Sequence, residues 1–575
     1  MILFHNKKMK KTSFNISRRI RLLVAVTIIS SVSLLTFGFK DDFFEVSKNL
    51  DIFATLFREV NLYYVDEVQP GQLMKTGIDA MLESLDPYTN YIPEDDIEDA
   101  RFMTTGQYGG IGALIRQRDG LVVISEPYEN SPAAKADLRA GDVVLEVEGR
   151  STKGKTTSDV VKVLKGQPNT PVKLLIKRDG EEKPIEKTIM REEIKVNNVP
   201  YYGMVDDKIG YIKLTGFTDE AGREVKEALT KLKENPALEG VILDLRGNPG
   251  GLLREAINIV NIFVEKGLDI VSTKGKVKEW DKVYKSINNP VDVKIPVAVL
   301  VNRSSASASE IVSGSLQDLD RAVVIGQRSF GKGLVQTSRP LSYNTQMKIT
   351  TSKYYIPSGR CIQAKDYSHR NEDGSVGMVP DSLIREFKTR NGRKVFDGGG
   401  VNPDVSLPMR EYSPIARTLL TNNLIFDFAT QFRIKNPTIL SAKDFTVDNA
   451  LFTELVAYLS TREYSYETES EQLLKDLKVT AEKEKYFTAI ESEYNQLKQK
   501  MMHDKNADIE KSRLELSELL ADEIASRYYF QKGRIENSFS ADPEVKKAIE
   551  VLKNKEMYGD VVMGKYVEEI GKKGK

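Results

Sequence analysis

Between residues 191 and 408, short apolar runs alternate with amphipathic patterns, and three of the runs lead straight into loops rich in glycine, serine or lysine. IGYIKLTGF, a helical pattern from Thr218 to about Lys233, and GVILDLR make one strand–helix–strand passage. A second passage runs from a helical pattern at Leu252–Val264 to VKIPVAVLVN (293–302), then to a helical pattern from about Ser305 to Leu319. RAVVIGQ (321–327) and MKITTSKYYIP (347–357) read as further strands. The polar stretch 366–396, with its Gly, Asn and Asp, reads as an inserted loop. Such alternation confines residues 191–410 to an α/β core.

The flanking regions have different textures. Apolar residues at mixed three- and four-residue steps, from Phe43 to Val60 and again before Asp86-Pro87, predict a helical region over 41–96. Over 97–190 the runs shorten. IGALIRQ, the turn Arg118-Asp119-Gly120 and LVVISEP predict a hairpin. Ser131-Pro132 starts a short helix, DVVLEVEG is a strand, TTSDVVKVLKG a helix and VKLLIKRDG a last strand. After Pro408 the chain is rich in Glu, Lys and Leu, with almost no Gly or Pro over 470–530, which predicts a solvated helical domain over 411–575. A length of 575 residues suits about three to five domains.

The amino terminus gives an address. Seven basic residues and no acidic one lie between Lys7 and Arg21, and residues 22–39 carry no charge. Eighteen such residues span about 27 Å as a helix, near the thickness of a thin hydrocarbon core. Residues 1–40 therefore read as a cytoplasmic basic segment followed by a membrane anchor or a signal peptide, with the body extracytoplasmic. A net charge of +1 argues against nucleic acid as a partner. The single cysteine, Cys361, excludes an internal disulfide and a Cys-rich zinc site, and the three histidines are scattered. No metal and no cofactor is expected.

Three loops offer chemistry. In Asp244-Leu245-Arg246-Gly247-Asn248-Pro249-Gly250-Gly251, glycines let backbone N–H groups converge at a helix start. That suits a phosphate cradle or an oxyanion hole, or simply a tight structural turn. It lacks the spacing of a P-loop or a dinucleotide fingerprint. In Asn302-Arg303-Ser304-Ser305-Ala306-Ser307-Ala308-Ser309-Glu310, a hydroxyl on a strand-to-helix turn is a candidate nucleophile, while serine capping and small-residue packing account for the same composition. In Ser329-Phe330-Gly331-Lys332-Gly333-Leu334-Val335-Gln336, a lysine between glycines is either a surface residue or a base. As a base its pKa must fall from about 10.4 to near 7, a change of about 4–5 kcal/mol that burial can supply. With no histidine near a second glycine-rich loop, a Ser-His-Asp triad is disfavoured.

Taken together and in order, LDLRGNPGGLL, VNRSSASASEI and GQRSFGKGLVQT resemble the carboxyl-terminal processing, or tail-specific, serine peptidases. The resemblance covers roughly 41–408. It implies a crotonase-like α/β core with an inserted α+β PDZ domain at 97–190 and flanking helical segments. It also implies Ser307 as nucleophile, Lys332 as general base and Gln336 as the residue orienting the lysine, with Ala308 and one glycine of Gly250-Gly251 giving oxyanion N–H groups. Tyr108-Gly109-Gly110-Ile111-Gly112 would bind a terminal carboxylate, with the following strand adding to the peptide backbone. Arg139 would sense occupancy. The partners implied are proteins with unstructured C-termini, the inner membrane through residues 22–39, a second copy of the chain and an adaptor protein. Rival readings are an inactive PDZ scaffold and a crotonase-like acyl-transfer enzyme.

Overall fold

The computed structural model describes residues 40–501 and 505–566. The basic segment and the uncharged run, with the anchor or signal expectation placed on them, lie outside the described residues. Among the described residues no helix is long and apolar enough to cross a membrane. The chain divides into two compact units, Met1–Ser84 and Leu85–Lys575. In the first, α1 (Lys40–Tyr63) and α2 (Pro70–Glu83) follow the helical pattern, and Pro70 takes the first turn, where a missing N–H costs nothing.

The second unit begins with a departure from the helical expectation for 41–96. The Asp86 carboxylate accepts the N–H groups of Tyr88 (2.8 Å) and Thr89 (2.9 Å), which fixes a turn that Pro87 also favours. The strand β1 (Asn90–Ile92) follows, and α3 (Ile97–Thr105) closes on a left-handed Gly106. Beyond β2 (Gln107–Gly110) lies a sheet in the order β3 (Ala113–Arg118), β4 (Leu121–Pro127), β5 (Val143–Val147), β7 (Pro171–Lys177), β8 (Ile185–Met190), with β6 (Arg150–Ser151) paired to β5. The β3–β4 turn uses Asp119 and Gly120, both at positive φ. Ser131 caps α4 (Pro132–Lys135), and a Thr156–Asp159 capping box starts α5 (Thr157–Leu164). Val160 and Leu164 of α5 pack with Ile124, Val144 and Leu174 of the sheet. β8, absent from the sequence reading, alternates exposed residues with half-buried ones and the buried Ile189, and so lacks an apolar run.

The core sheet runs β10 (Tyr201–Met204), β11 (Ile209–Lys213), β12 (Gly240–Asp244), β15 (Val297–Val301), β16 (Val323–Gly326), β23 (Val405–Ser406); all neighbours are parallel except β10 and β11. One face, with Leu243, Val299 and Val324, packs on α6 (Ala221–Leu232), α7 (Leu253–Phe263) and α8 (Ala308–Asp318). The other, with Ile242, Leu300 and Ile325, is covered from the end of the chain by Val545, Ala548, Val551 and Leu552. Covering both faces is why these strands read as unbroken apolar runs.

A second sheet has the order β1, β18 (Gln346–Tyr355), β13 (Asp269–Gly275), β14 (Lys282–Lys285), with β17 (Leu334–Pro340) also paired to β18. Residues 366–396 are not the single loop expected. They lie within two hairpins, β19 (Lys365–Arg370) with β20 (Val376–Met378) and β21 (Glu386–Lys388) with β22 (Lys394–Phe396). They are tied to the core because the buried Arg393 donates to Asp320 (2.8 Å), Asp404 (2.9 Å) and the Gln317 carbonyl (2.5 Å).

Residues 411–575 also divide in two. The helices α9 (Pro414–Thr421), α10 (Leu424–Lys435), α11 (Asn449–Ser460), α12 (Glu469–Lys483), α13 (Phe487–Met501), α14 (Lys505–Lys511) and α15 (Arg513–Ser538) precede α16 (Pro543–Lys553) and α17 (Lys555–Val562). Ile425, Phe452, Leu455, Leu516, Leu520 and Ile524 share one core among the former, whereas α16 and α17 belong to the core sheet.

Candidate active site

The three loops singled out in the sequence leave the carboxyl ends of three neighbouring parallel strands, β12, β15 and β16. Carboxyl ends are where parallel sheets open crevices, because the chain must leave the sheet there to reach its crossover. Side chains then sew the loops together. Ser305 Oγ donates to the Leu245 carbonyl and Ser309 Oγ to the Asn248 carbonyl, both at 2.9 Å. The Ala306 N–H also reaches the Asn248 carbonyl (3.1 Å), and Asn302 Oδ1 accepts the Gly247 N–H (3.0 Å). Ser305 and Ser309 thus pack between the loops and tie them together, whereas the N-cap position of α8 falls on Ser307.

Ser307 differs from them. It stands just before α8 at φ 55° and ψ −111°, a region that costs an L residue of order 1–3 kcal/mol. Gly250, at φ +98°, lies directly against it: a Cβ there would come within 2.9 Å of both Ser307 Cβ and the Ala308 nitrogen. Its own N–H is donated to Asn248 Oδ1 at 2.9 Å. Gly251 instead approaches the Phe217 backbone. Ala308 opens α8, so its N–H has no intrahelical acceptor. The buried Tyr354 hydroxyl donates to the Ser307 carbonyl at 3.2 Å.

The lysine loop is held by a residue the sequence analysis passed over. Glu310 is fully buried and accepts four hydrogen bonds, from the N–H groups of Ser307 (2.8 Å), Gly331 (2.6 Å) and Lys332 (2.8 Å) and from the Ser329 hydroxyl (2.5 Å). One carboxyl thus joins the serine loop to the lysine loop. Burial pushes its pKa up, against the pull of those donors. Its position three residues beyond Ser307, the S-x-x-E spacing of a capping box, was the available signal.

Lys332 is half-buried, and burial is the main reason its pKa falls to about 8; Lys348 lowers it further, while Asp86 and Glu310 pull the other way. Among the described residues no hydrogen bond joins its amine to the Ser307 hydroxyl. The amine lies 4.1 Å from the centroid of the Tyr88 ring. Gln336 follows a bulge in the β17–β18 pairing and donates to Thr350 Oγ1 at 3.1 Å, not to the lysine. The structure therefore brings the serine and lysine loops together without a hydrogen bond between the amine and the hydroxyl.

A second network missed in the sequence sits under the glycine loop. Asp244, at the end of β12, is fully buried against Tyr211 OH (2.6 Å), Lys213 (3.1 Å) and Arg246 (2.6 Å). Burial opposes its ionisation, but Arg246 and Lys213 outweigh it and hold the pKa well below the ordinary range. Arg246 also pairs with Asp542 (2.8 Å) and Glu544 (3.2 Å) at the start of α16, so the chain's last helices brace this loop. No local pattern near 244 points to residues almost 300 positions away.

In the 97–190 region, Tyr108, Gly109 and Gly110 are not loop residues. They form β2, whose backbone pairs with β9 (Glu192–Lys195), leaving Ile111 and Gly112 as the turn into β3. The Tyr108 ring packs edge-on to Phe102. β3 has one partner, β4, and is an open edge of its sheet. Arg139 is bound to Asp137 (2.7 Å) and lines a cavity of about 190 Å³ with Thr430, Arg433 and Arg527 of the C-terminal helices. His369 is exposed and bonded to Asp366. Among the described residues no group of three His, Cys, Asp or Glu is placed to hold a metal.

Residues 208–382 match Peptidase family S41, residues 123–178 a PDZ domain, and residues 415–552 the C-terminal helical domain of a probable PDZ-protease. A carboxy-terminal-processing protease of Bartonella bacilliformis is 38% identical over 59% of this chain and 76% of its own length. A probable CtpA-like serine protease of Staphylococcus aureus is 35% identical over 71% of this chain and 81% of its own. The solved photosystem II D1 C-terminal processing protease is 26% identical over 62% of this chain and 92% of that one, with a TM-score of 0.33. Fold, loops and relatives define a serine-type peptidase that carries a PDZ domain. Within that class the chain belongs to the carboxy-terminal-processing proteases of family S41.

Proposed function

We propose that the protein is an endopeptidase of the cell envelope that captures unstructured protein C-termini and cleaves near them through a Ser307–Lys332 mechanism on a crotonase-like core. The observation that carries this reading is the meeting of the two loops on one buried carboxyl, Glu310, beside a lysine whose pKa burial lowers to about 8. Ser307 Oγ bonds to the scissile carbonyl carbon while its proton passes to the neutral amine of Lys332; Gln336 would orient that amine after leaving the Thr350 hydroxyl it bonds in this structure. The electron pair displaced onto the carbonyl oxygen is met by the Ala308 N–H and a glycine N–H. Gly250 supplies close approach but has its N–H occupied by Asn248, which favours Gly251 as the second donor. Collapse breaks the C–N bond, and the lysine ammonium returns the proton to the leaving amine. Water then adds to the acyl-enzyme, gives a proton to Lys332, and Ser307 leaves with that proton.

The tail would lie along the open edge of β3, its carboxylate at the turn Ile111–Gly112, its backbone continuing the sheet. Tyr108, Gly109 and Gly110 would support that turn from β2, and Arg139 would report occupancy to the C-terminal helices. The basic and uncharged amino-terminal segments support an extracytoplasmic body. A fluorophosphonate probe should label the wild-type protein and not Ser307→Ala, which should lose cleavage by about 10⁴-fold or more while still binding tails. Equal labelling of the variant would defeat the nucleophile assignment. Tail binding with no labelling of either protein would favour a scaffold.

A further inference from the structure

The amine of Lys332 rests on an aromatic ring contributed by a segment almost 250 residues earlier. Tyr88 presents its face to that amine at 4.1 Å from the centroid, within range of a cation–π attraction. The ring is fixed from three sides. The backbone N–H groups of Tyr88 and Thr89 are held by Asp86, itself buried, and Thr89 Oγ1 donates to the other Asp86 oxygen at 3.1 Å. β1 pairs antiparallel with β18, Asn90 opposite Lys348. The Tyr367 ring, from β19, packs edge-on to Tyr88 at 6.1 Å and 82°. Thr350 ties the same segment to Gln336, since its N–H donates to Thr89 Oγ1 (3.2 Å) and its hydroxyl accepts from Gln336 (3.1 Å).

We propose that Tyr88 is a positioning residue for Lys332: its ring face holds the protonated amine away from Ser307, and so helps set the pH at which the amine becomes a base. The inference rests on Lys332 being that base. A ring face attracts the ammonium and not the neutral amine, so the contact favours the charged, resting form. The charged groups around the amine are Lys348 on β18, Asp86 on the turn before β1, and Glu310 on α8; Tyr88 and Tyr367 complete its titratable surroundings. Burial lowers the lysine pKa most, and the ring moderates that fall, as Asp86 and Glu310 do. Tyr367 gives the 366–396 segment a part in the site, as the edge against which Tyr88 is seated.

The test is the pH dependence of kcat/KM on an unstructured peptide substrate. Replacing Tyr88 with pentafluorophenylalanine keeps the shape and reverses the charge pattern of the ring. Against Tyr88→Phe, its acid limb should move about half to one pH unit lower, because the ammonium loses its attraction. Tyr88→Phe should keep the wild-type limb and Tyr88→Leu should shift it downwards. A purely structural role would lower activity in all three variants at every pH and leave the limb in place. Coincident limbs for the two phenylalanine forms overturn the proposal while Lys332→Ala remains inactive. Cleavage retained by Lys332→Ala would instead remove the base assignment, and the inference with it.

Discussion

The core sheet and the PDZ sheet handle their edges and faces in opposite ways. Strands β12, β15 and β16 are interior strands, paired on both sides, with helices α6–α8 on one face and α16 on the other. β3 of the PDZ sheet has one neighbour and one free edge, and its residues are mostly half-exposed. A buried interior strand gives a loop a rigid origin, which is what placement of a hydroxyl and an amine requires. A free edge offers unpaired backbone groups, which is what reading an extended tail requires. The proposed function puts the chemistry on the first kind of strand and the capture of substrate on the second.

Breaking the core side should cost most. Glu310→Ala leaves three N–H groups and a hydroxyl without their buried acceptor, so stability should fall by about 3–5 kcal/mol and cleavage should be lost. Denaturant melts and peptide turnover measure both effects; wild-type turnover by the variant would show that the two loops do not depend on this carboxyl.

A smaller effect, of opposite sign, is expected at Lys332. Burial holds the folded amine near pH 8 against an ordinary 10.5, so the unfolded chain binds more protons between those values and stability rises with pH through that window. Below it the strain is fully present, and Lys332→Met should stabilise the protein by about 2–3 kcal/mol at pH 7 while abolishing turnover. The gain should shrink towards pH 10. A melting curve for the variant that is no better than wild type at pH 7 would mean the amine is solvated.

The mildest change should come from the capture side. Amidating the carboxylate of an alanine-rich peptide with an apolar last residue should weaken its binding by about 10–100-fold, the value of charge-assisted hydrogen bonds. Hydrolysis of a small ester at Ser307 should not change. If amide and free acid bind alike, tail recognition does not pass through the turn at Ile111–Gly112.

Legibility in the sequence followed the same division. The interior strands were readable as apolar runs because both their faces are covered, and the loops after them were readable because glycine, serine and lysine are unusual there. β8, β13, β14 and β17 went unread, and β8 and β17 show why: each has an exposed face and mixed residues, so period and apolarity are weak. The stretch 366–396 looked like a loop because its hairpins are short and polar, although Arg393 anchors it to buried acids.

Residue order alone determined the local pieces: where strands end, that a helix starts near Ser305, and which loop carries an amine between glycines. Those depend on neighbours in the chain, whose preferences act over a few residues. Only the tertiary structure decided that the three loops leave adjacent strands, that Glu310 joins two of them, that Arg246 is braced by Asp542 and Glu544, and that Tyr88 lies beneath Lys332. Such contacts arise from strand order and from packing between segments hundreds of residues apart, and no local periodicity records them.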